Sequence, residues 1–307
     1  MSIKIPLNLI LHFVRKGDEK YLKNPRTFGN FSLIKDLTYK TSDSSFHKLD
    51  IIAPVLNHEN GILLFSVHGG GYVYGDKKYN SIFHSYFADK GFTIISSNYR
   101  LIDNYYDVSI IEQLQDIVDA LTYAYDNRHF HKLNFDKLFL VGDSAGGHLV
   151  FLLDILFHDE EARRYFNIKN LPPIKIRGVC LNSTMYDMKS LYKYAEKFLS
   201  KRGLKKVFSK RCIDEEFMLK TSPSYYVRKN IKLDPLFNSS SYKDQFLSQS
   251  LLLKRDMIAN QYDFVFDYCR SSDKKYGHIY NHFNFDGEGK RCNEAMINFF
   301  MKWANID

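Results

Sequence analysis

Apolar positions along this chain follow two rhythms that take turns. Short unbroken runs stand at Ile62–Val67, Phe92–Ser97, Leu138–Val141, Ile176–Leu181 and Ser250–Leu253. Runs of that length suit strands covered on both faces. Between them, apolar residues recur at three- and four-residue steps. Ile110, Ile111, Leu114, Ile117, Val118 and Leu121 form one stripe, predicting a helix over Ser109–Tyr125. Further helices are predicted over Tyr79–Lys90, stopped by Gly91, and from Gly146 to about His158, Asn260–Cys269 and Glu294–Trp303. Leu33–Thr41 and Phe46–Ala53 read as two strands joined by a turn at Ser42–Ser45, and Tyr276–Tyr280 as a late strand. Strand and helix alternate often enough to imply an α/β fold, a mainly parallel sheet with helices on both faces. One segment breaks the alternation. Met188–Lys220 is helix-prone and basic, an insertion that would form a lid over one end of the sheet.

The length of 307 residues exceeds a typical domain, but α/β units often reach about 250 residues as one body. One domain over 1–307 is therefore expected, capped by about 1–30 and by 188–220. With 45% apolar and 25% charged residues the balance is that of a globular chain, which excludes wholesale disorder and fibrous repeats. No uncharged apolar run approaches the ~18 residues that an integral membrane segment needs. The apolar N-terminal run carries Asn8 and His12 and lacks a small-residue cleavage site, so a folded element is expected there rather than a signal peptide. Cys180, Cys212, Cys269 and Cys292 lie too far apart for a metal knuckle, a redox pair or a disulfide framework. A reduced, cytoplasmic protein is the expectation. The net charge of +8 invites a polyanion partner. Much of the surplus sits in the insertion, where Lys201, Arg202, Lys205, Lys206, Lys210 and Arg211 oppose Leu204, Val207 and Phe208. That pattern reads as the solvated face of a lid.

Two glycine-rich turns carry the chemistry. Gly142-Asp143-Ser144-Ala145-Gly146 follows the run Leu138–Val141 and opens a helix. A serine on such a sharp strand-to-helix turn stands above the sheet edge, where small neighbours are obligatory and the helix N-terminus favours developing negative charge. His68-Gly69-Gly70-Gly71 follows Ile62–Val67. Its consecutive glycines can turn backbone amides toward an oxyanion, and the chain lacks the Gly-Lys-Ser/Thr ending of a phosphate loop. A serine nucleophile needs a base and an orienting carboxylate, following it in the order acid, then His. His282 is preferred as the base, in a loop-like stretch. His278 is the alternative, placed in the predicted strand Tyr276–Tyr280. Asp256 is preferred as the acid because it closes the run Leu251–Leu253, at the carboxyl end of a predicted strand. Asp263 and Asp267 fall in a predicted helix. His148 reads as a packing residue, and His84, His129, His131 and His158 have no partner at metal-ligand spacing.

These residues resemble the α/β-hydrolase superfamily, in its hormone-sensitive-lipase-like esterase branch. His68–Gly71 is similar to the branch's HGGG motif, Gly142–Gly147 to its GDSAGG elbow, and Tyr99-Arg100-Leu101 to its YRL segment. Pro223 also falls where the pattern would place it. The resemblance covers roughly Asp50 to the C-terminus and implies a carboxylesterase acting on short-chain acyl esters through an acyl-enzyme, with no cofactor and no metal. It implies Ser144 as nucleophile, Asp256 as acid, His282 as base, and the amides of Gly70, Gly71 and Ala145 as the oxyanion hole, supported by His68, Gly69, Gly142, Asp143 and Gly146. The chain departs from the branch at Ile102-Asp103-Asn104, where Ala-Pro-Glu is usual, and the insertion matches no motif. The expected partner is a small-molecule ester, with no nucleic acid. The oligomeric state stays open, a homodimer being one option. Two other readings remain: an amide or formamide hydrolase of the same fold, and a non-catalytic ligand-binding relative.

Overall fold

A computed structural model describes residues 6–23, 27–41, 45–55, 58–102, 108–208 and 214–306. Of the features singled out above, most of the expected turn at Ser42–Ser45, Asp103-Asn104, Lys210, Arg211 and Cys212 lie outside the described residues.

Eight strands form one sheet: β1 (Phe31–Thr38), β2 (Lys48–Pro54), β3 (Leu63–Val67), β4 (Thr93–Ser97), β5 (Leu138–Asp143), β6 (Ile176–Asn182), β7 (Leu236–Ser241) and β8 (Phe264–Cys269). Their order across the sheet is β1-β2-β4-β3-β5-β6-β7-β8. β1 and β2 run antiparallel to their neighbours, and the remaining strands are parallel. The unbroken apolar runs follow from cover on both faces. On β3 and β5, Leu63, Phe65, Val67, Leu138 and Leu140 enter the core beneath helices Ile110–Asp126 and Ser144–His158. Leu64, Phe139 and Val141 enter the opposite core, with Phe83 and Phe87 of helix Ser81–Asp89 and Met296 and Phe300 of helix Gly287–Ala304. Phenylalanine and tyrosine rings supply much of both cores. Ser109 starts its helix with a full capping box: its hydroxyl accepts from the Ile111 amide, and Glu112 reaches back to the Ser109 amide.

Three predicted elements change identity. Ser250–Leu253 belongs to helix Leu247–Ala259, not to a strand. The predicted helix over Asn260–Cys269 is instead edge strand β8, whose residues alternate in exposure over their second half. Tyr276–Tyr280 is no strand but a tight turn leading into the one-turn helix Tyr280–Phe283. The true seventh strand, Leu-Phe-Asn-Ser-Ser-Ser, reads as polar yet is buried throughout. Its hydroxyls are satisfied inside: Ser239 donates to Asn182 at 2.7 Å, Ser240 to Asp244 at 3.1 Å and Ser241 to the Tyr276 carbonyl at 2.5 Å.

The insertion folds as helices Met188–Ala195, Lys201–Val207 and Glu215–Lys220, and the N-terminal run as helix Leu7–Lys23. Among the described residues no helix is long and apolar enough to cross a membrane.

Buried histidines give this fold a pH signature. Burial holds His84 down at about 3 and His148 at about 4, and lowers His68 and His282 in the same direction. A histidine depressed in the folded state is neutral there while the unfolded chain takes up a proton. Its contribution is therefore present above pH 6.5 and is lost as the pH falls. Raised carboxyls work the other way: Asp143, pushed up to about 6 by burial, and Asp18 and Asp154, raised by burial in the same direction. The lowered histidines, which also include His47 and His131, outnumber these carboxyls, so stability should decline between pH 7 and pH 5 by roughly 1.4 kcal/mol per pH unit for each net proton. Urea unfolding at the two pH values checks this, and equal or greater stability at pH 5 would contradict it.

Candidate active site

Strand β5 ends at Asp143, and the chain reverses at once into helix Ser144–His158. Ser144 holds φ +53°, a left-handed conformation that a non-glycine residue adopts at a cost of about 1–3 kcal/mol. The crowding explains the neighbouring glycines. A Cβ on Gly146 would run into the carbonyls of Val67 and His68, so the elbow can nest against β3 only with glycine there.

Ser144 Oγ lies 2.9 Å from Nε2 of His278, and Nδ1 of His278 lies 2.9 Å from Oδ1 of Asp244. Asp244 is a carboxylate acceptor, so Nδ1 carries the proton and Nε2 turns its lone pair to the serine hydroxyl. Burial alone would raise the Asp244 carboxyl. The hydrogen bond and charge of His278, with the Phe246 amide and Ser183, outweigh it and hold the carboxyl below its ordinary range. Asp244 lies just beyond β7 and His278 beyond β8, at the carboxyl edge that also presents Ser144 and His68.

Two expected residues are not in this line. Asp256 lies in helix Leu247–Ala259, where it accepts from Tyr186 Oη at 3.0 Å, Arg228 Nε at 2.8 Å and Arg255 Nε at 2.8 Å. The position expected of it, after a strand end, is filled by Asp244. His282 is buried in the short helix Tyr280–Phe283, its ring stacked on Phe83 at 3.8 Å and 4° from parallel. The residue that reaches the serine is His278, one turn earlier, which the predicted strand at Tyr276–Tyr280 concealed. Reading the polar β7 as a strand would have supplied Asp244.

The glycine-rich loop is clamped on several sides. Asp143 is buried beneath it, with Oδ2 accepting from the Gly69 amide at 3.0 Å and Oδ1 from Asn80 Nδ2 at 2.7 Å. Tyr99 Oη donates to the His68 carbonyl at 2.8 Å, and the two rings stack at 4.5 Å. Gln113 Nε2 donates to the carbonyls of Tyr72 and Arg100, both at 2.8 Å. Arg100 is itself fixed by a bidentate pair with buried Asp116 at 2.7 and 2.8 Å. The Tyr99-Arg100 dipeptide thus serves to hold this loop. Gly70 adopts φ +121°, and a Cβ there would collide with the Tyr74 carbonyl. Gly70 and Gly71 line the same cavity as Ser144, and Ala145 follows the serine in the first turn of its helix.

That cavity holds about 600 Å³ and is mainly apolar. Leu7, Leu11 and Val14 from the N-terminal helix form one wall, and Leu191, Tyr194, Phe198 and Phe208 from the insertion form another. The N-terminal helix is tied to the loop through Tyr74 Oη, which donates to Asp18 at 2.9 Å.

The sequence and fold have known counterparts. The model of the BD-FAE family matches residues 49–257, more than half of the chain. A protein of Acanthamoeba polyphaga mimivirus named as an alpha/beta hydrolase is 32% identical over 116 residues, covering 38% of this chain and 33% of that protein. Arylacetamide deacetylase of Bos taurus is 33% identical over 91 residues, covering 28% of this chain and 22% of that enzyme. This chain thus spans a third or less of the curated relatives it matches. In structure, esterase B from Lactobacillus rhamnosus superposes with a TM-score of 0.86 at 21% identity, covering 97% of this chain and 93% of that one. The same esterase inhibited by a C4-C4 tributyrin phosphonate gives 0.84 at 22% identity, with coverage of 97% and 94%. These likenesses establish the α/β-hydrolase fold.

Proposed function

We propose that this chain, which belongs to the BD-FAE family, is a serine carboxylesterase cleaving esters of short acyl chains through an acyl-enzyme. The observation that carries this reading is the unbroken line Ser144 Oγ, His278 Nε2, His278 Nδ1, Asp244 Oδ1, with both links at 2.9 Å. In the first step Nε2 of His278 takes the Ser144 proton as Oγ attacks the ester carbonyl. Asp244 holds the imidazole in the competent tautomer and stabilises it once cationic. The amides of Gly70, Gly71 and Ala145 receive the oxyanion, where one lost donor typically costs about 2.7–4 kcal/mol. His278 then gives its proton to the departing alcohol, and water repeats the sequence on the acyl-enzyme.

The cavity supports an apolar, uncharged substrate. Its volume of about 600 Å³ lies within the range of small-molecule sites. The N-terminal helix and the insertion act as a cap over Ser144, setting the room for the acyl and alcohol groups. The phosphonate bound to the structurally similar esterase B carries short chains, in keeping with this reading.

A panel of aryl esters from acetate to a long-chain acyl group, with one matched anilide, tests the assignment. Hydrolysis of the short esters, falling with chain length and slower on the anilide, is expected. Turnover confined to the anilide, or to none of the panel, would overturn it. Activity should also fall from pH 8 toward pH 5, because a histidine base works only in its neutral form, while Asp244, held below its ordinary range, stays ionised. A flat profile between pH 5 and pH 8 would contradict a histidine base.

A further inference from the structure

Helix Ser144–His158 carries the proposed nucleophile at its N-terminus and a second group of polar side chains at its other end. Asp154 and His158 are one turn apart on the same face, and Asp234, just before β7, meets them. His158 Nε2 lies 2.9 Å from Asp234 Oδ2 and 3.8 Å from Asp154 Oδ1, and the three ligand-type atoms lie within 4.8 Å of one another. The sequence offered no sign of this, because Asp234 lies 76 positions beyond His158.

Asp154 is the unusual member. It is fully buried, and neither carboxylate oxygen accepts a well-formed hydrogen bond. A second carboxylate, that of Asp234, stands beside it. An ionised carboxylate so placed is costly unless a cation neutralises it. The geometry suits a metal. Ligand atoms 2.9 and 3.8 Å apart can share one ion at the ~2.0–2.2 Å distances of zinc–imidazole and zinc–carboxylate bonds. An i, i+4 pair on one helix face is a ready two-ligand platform, and the C-terminal end of a helix itself favours positive charge. His158 and Asp234 keep 14% and 16% of their side-chain surface exposed, an opening for the ion and its waters.

We propose that Asp154, His158 and Asp234 form a binding site for a divalent transition-metal cation of the zinc type, pinning the end of the nucleophile helix to the start of β7. Its role is structural, since it lies at the opposite end of that helix from Ser144.

The test is calorimetric titration of EDTA-dialysed protein with ZnCl2, alongside thermal melts. About one equivalent should bind, and saturating zinc should raise Tm by about 3 °C or more. Asp154→Asn, which keeps the side-chain shape, and His158→Gln should each weaken that binding at least tenfold, consistent with the loss of a ligand. If Asp154→Asn does not fold, His158→Gln, at a partly exposed position, decides the matter. No stoichiometric binding by the wild type, or equal affinity in the folded variants, would overturn the proposal and leave a hydrogen-bonded carboxyl–imidazole cluster in its place.

Discussion

Replacing His278 by alanine should lower kcat for a short-chain aryl ester by roughly a millionfold, the loss seen when the base of a serine triad is removed. His278 is the imidazole whose Nε2 faces Ser144 Oγ, at 2.9 Å. Without it the hydroxyl has no proton acceptor, and the attacking oxygen must carry its proton into the transition state. His282→Asn should behave differently. That ring is buried against Phe83, so truncation costs packing, about 1–3 kcal/mol of stability, while kcat in the folded variant stays within about tenfold of wild type. Steady-state kinetics on both variants at 20 °C, with Tm as a companion reading, separate the two histidines. An active His278→Ala protein beside an inactive but folded His282→Asn protein would reverse the assignment.

The second large effect belongs to the proposed acid. Asp244→Asn should reduce kcat about 10⁴-fold. An amide at this position can turn an N–H toward Nδ1, which then accepts. The proton moves to Nε2, and the imidazole no longer offers a lone pair to Ser144. KM should change little, because Asp244 touches the imidazole and not the substrate. Asp256→Asn supplies the contrast. It weakens the contacts that Arg228, Tyr186 and Arg255 make with this position of helix Leu247–Ala259, and should lower stability by about 1–2 kcal/mol while leaving kcat near wild type. A loss of kcat at Asp256 comparable to that at Asp244 would count against this division.

The contrast between these pairs explains what could be read from the sequence. The serine elbow and the glycine loop are local devices. A backbone turned as sharply as at Ser144 excludes side chains at Gly142 and Gly146, and that exclusion is written in consecutive residues. The mainly parallel sheet was legible for a similar reason: β3, β4, β5 and β6 are covered on both faces and appear as unbroken apolar runs. The proposed acid and base, Asp244 and His278, depend on tertiary context. β7 is buried although its residues are mostly Asn and Ser, because Asn182, Asp244 and the Tyr276 carbonyl satisfy its hydroxyls at a distance along the chain. Nothing within the segment announces a strand. Leu251–Leu253, apolar enough for a strand, lies in a helix, and an assignment resting on apolar character alone drew the acid to Asp256. His278 and His282 are of one residue type and four positions apart. Only the tight turn before Tyr280, with Ile279 at φ +48°, decides which ring meets the serine.

The charge surplus takes on a narrower meaning too. The insertion that carries much of it also contributes Leu191, Tyr194, Phe198 and Phe208 to the cavity wall. In the proposed enzyme its apolar residues shape the pocket, and a polyanion partner is not needed to account for the basic ones.

The claim that Ser144, activated through His278, is the nucleophile is tested most directly by covalent labelling. Wild-type protein treated with a fluorophosphonate and analysed by intact mass and peptide mapping should carry a single adduct on Ser144. His282→Asn should label at a similar rate, and His278→Ala should label at least a thousandfold more slowly. An adduct on another residue, or labelling of Ser144 that survives unchanged when His278 is removed, would contradict the account.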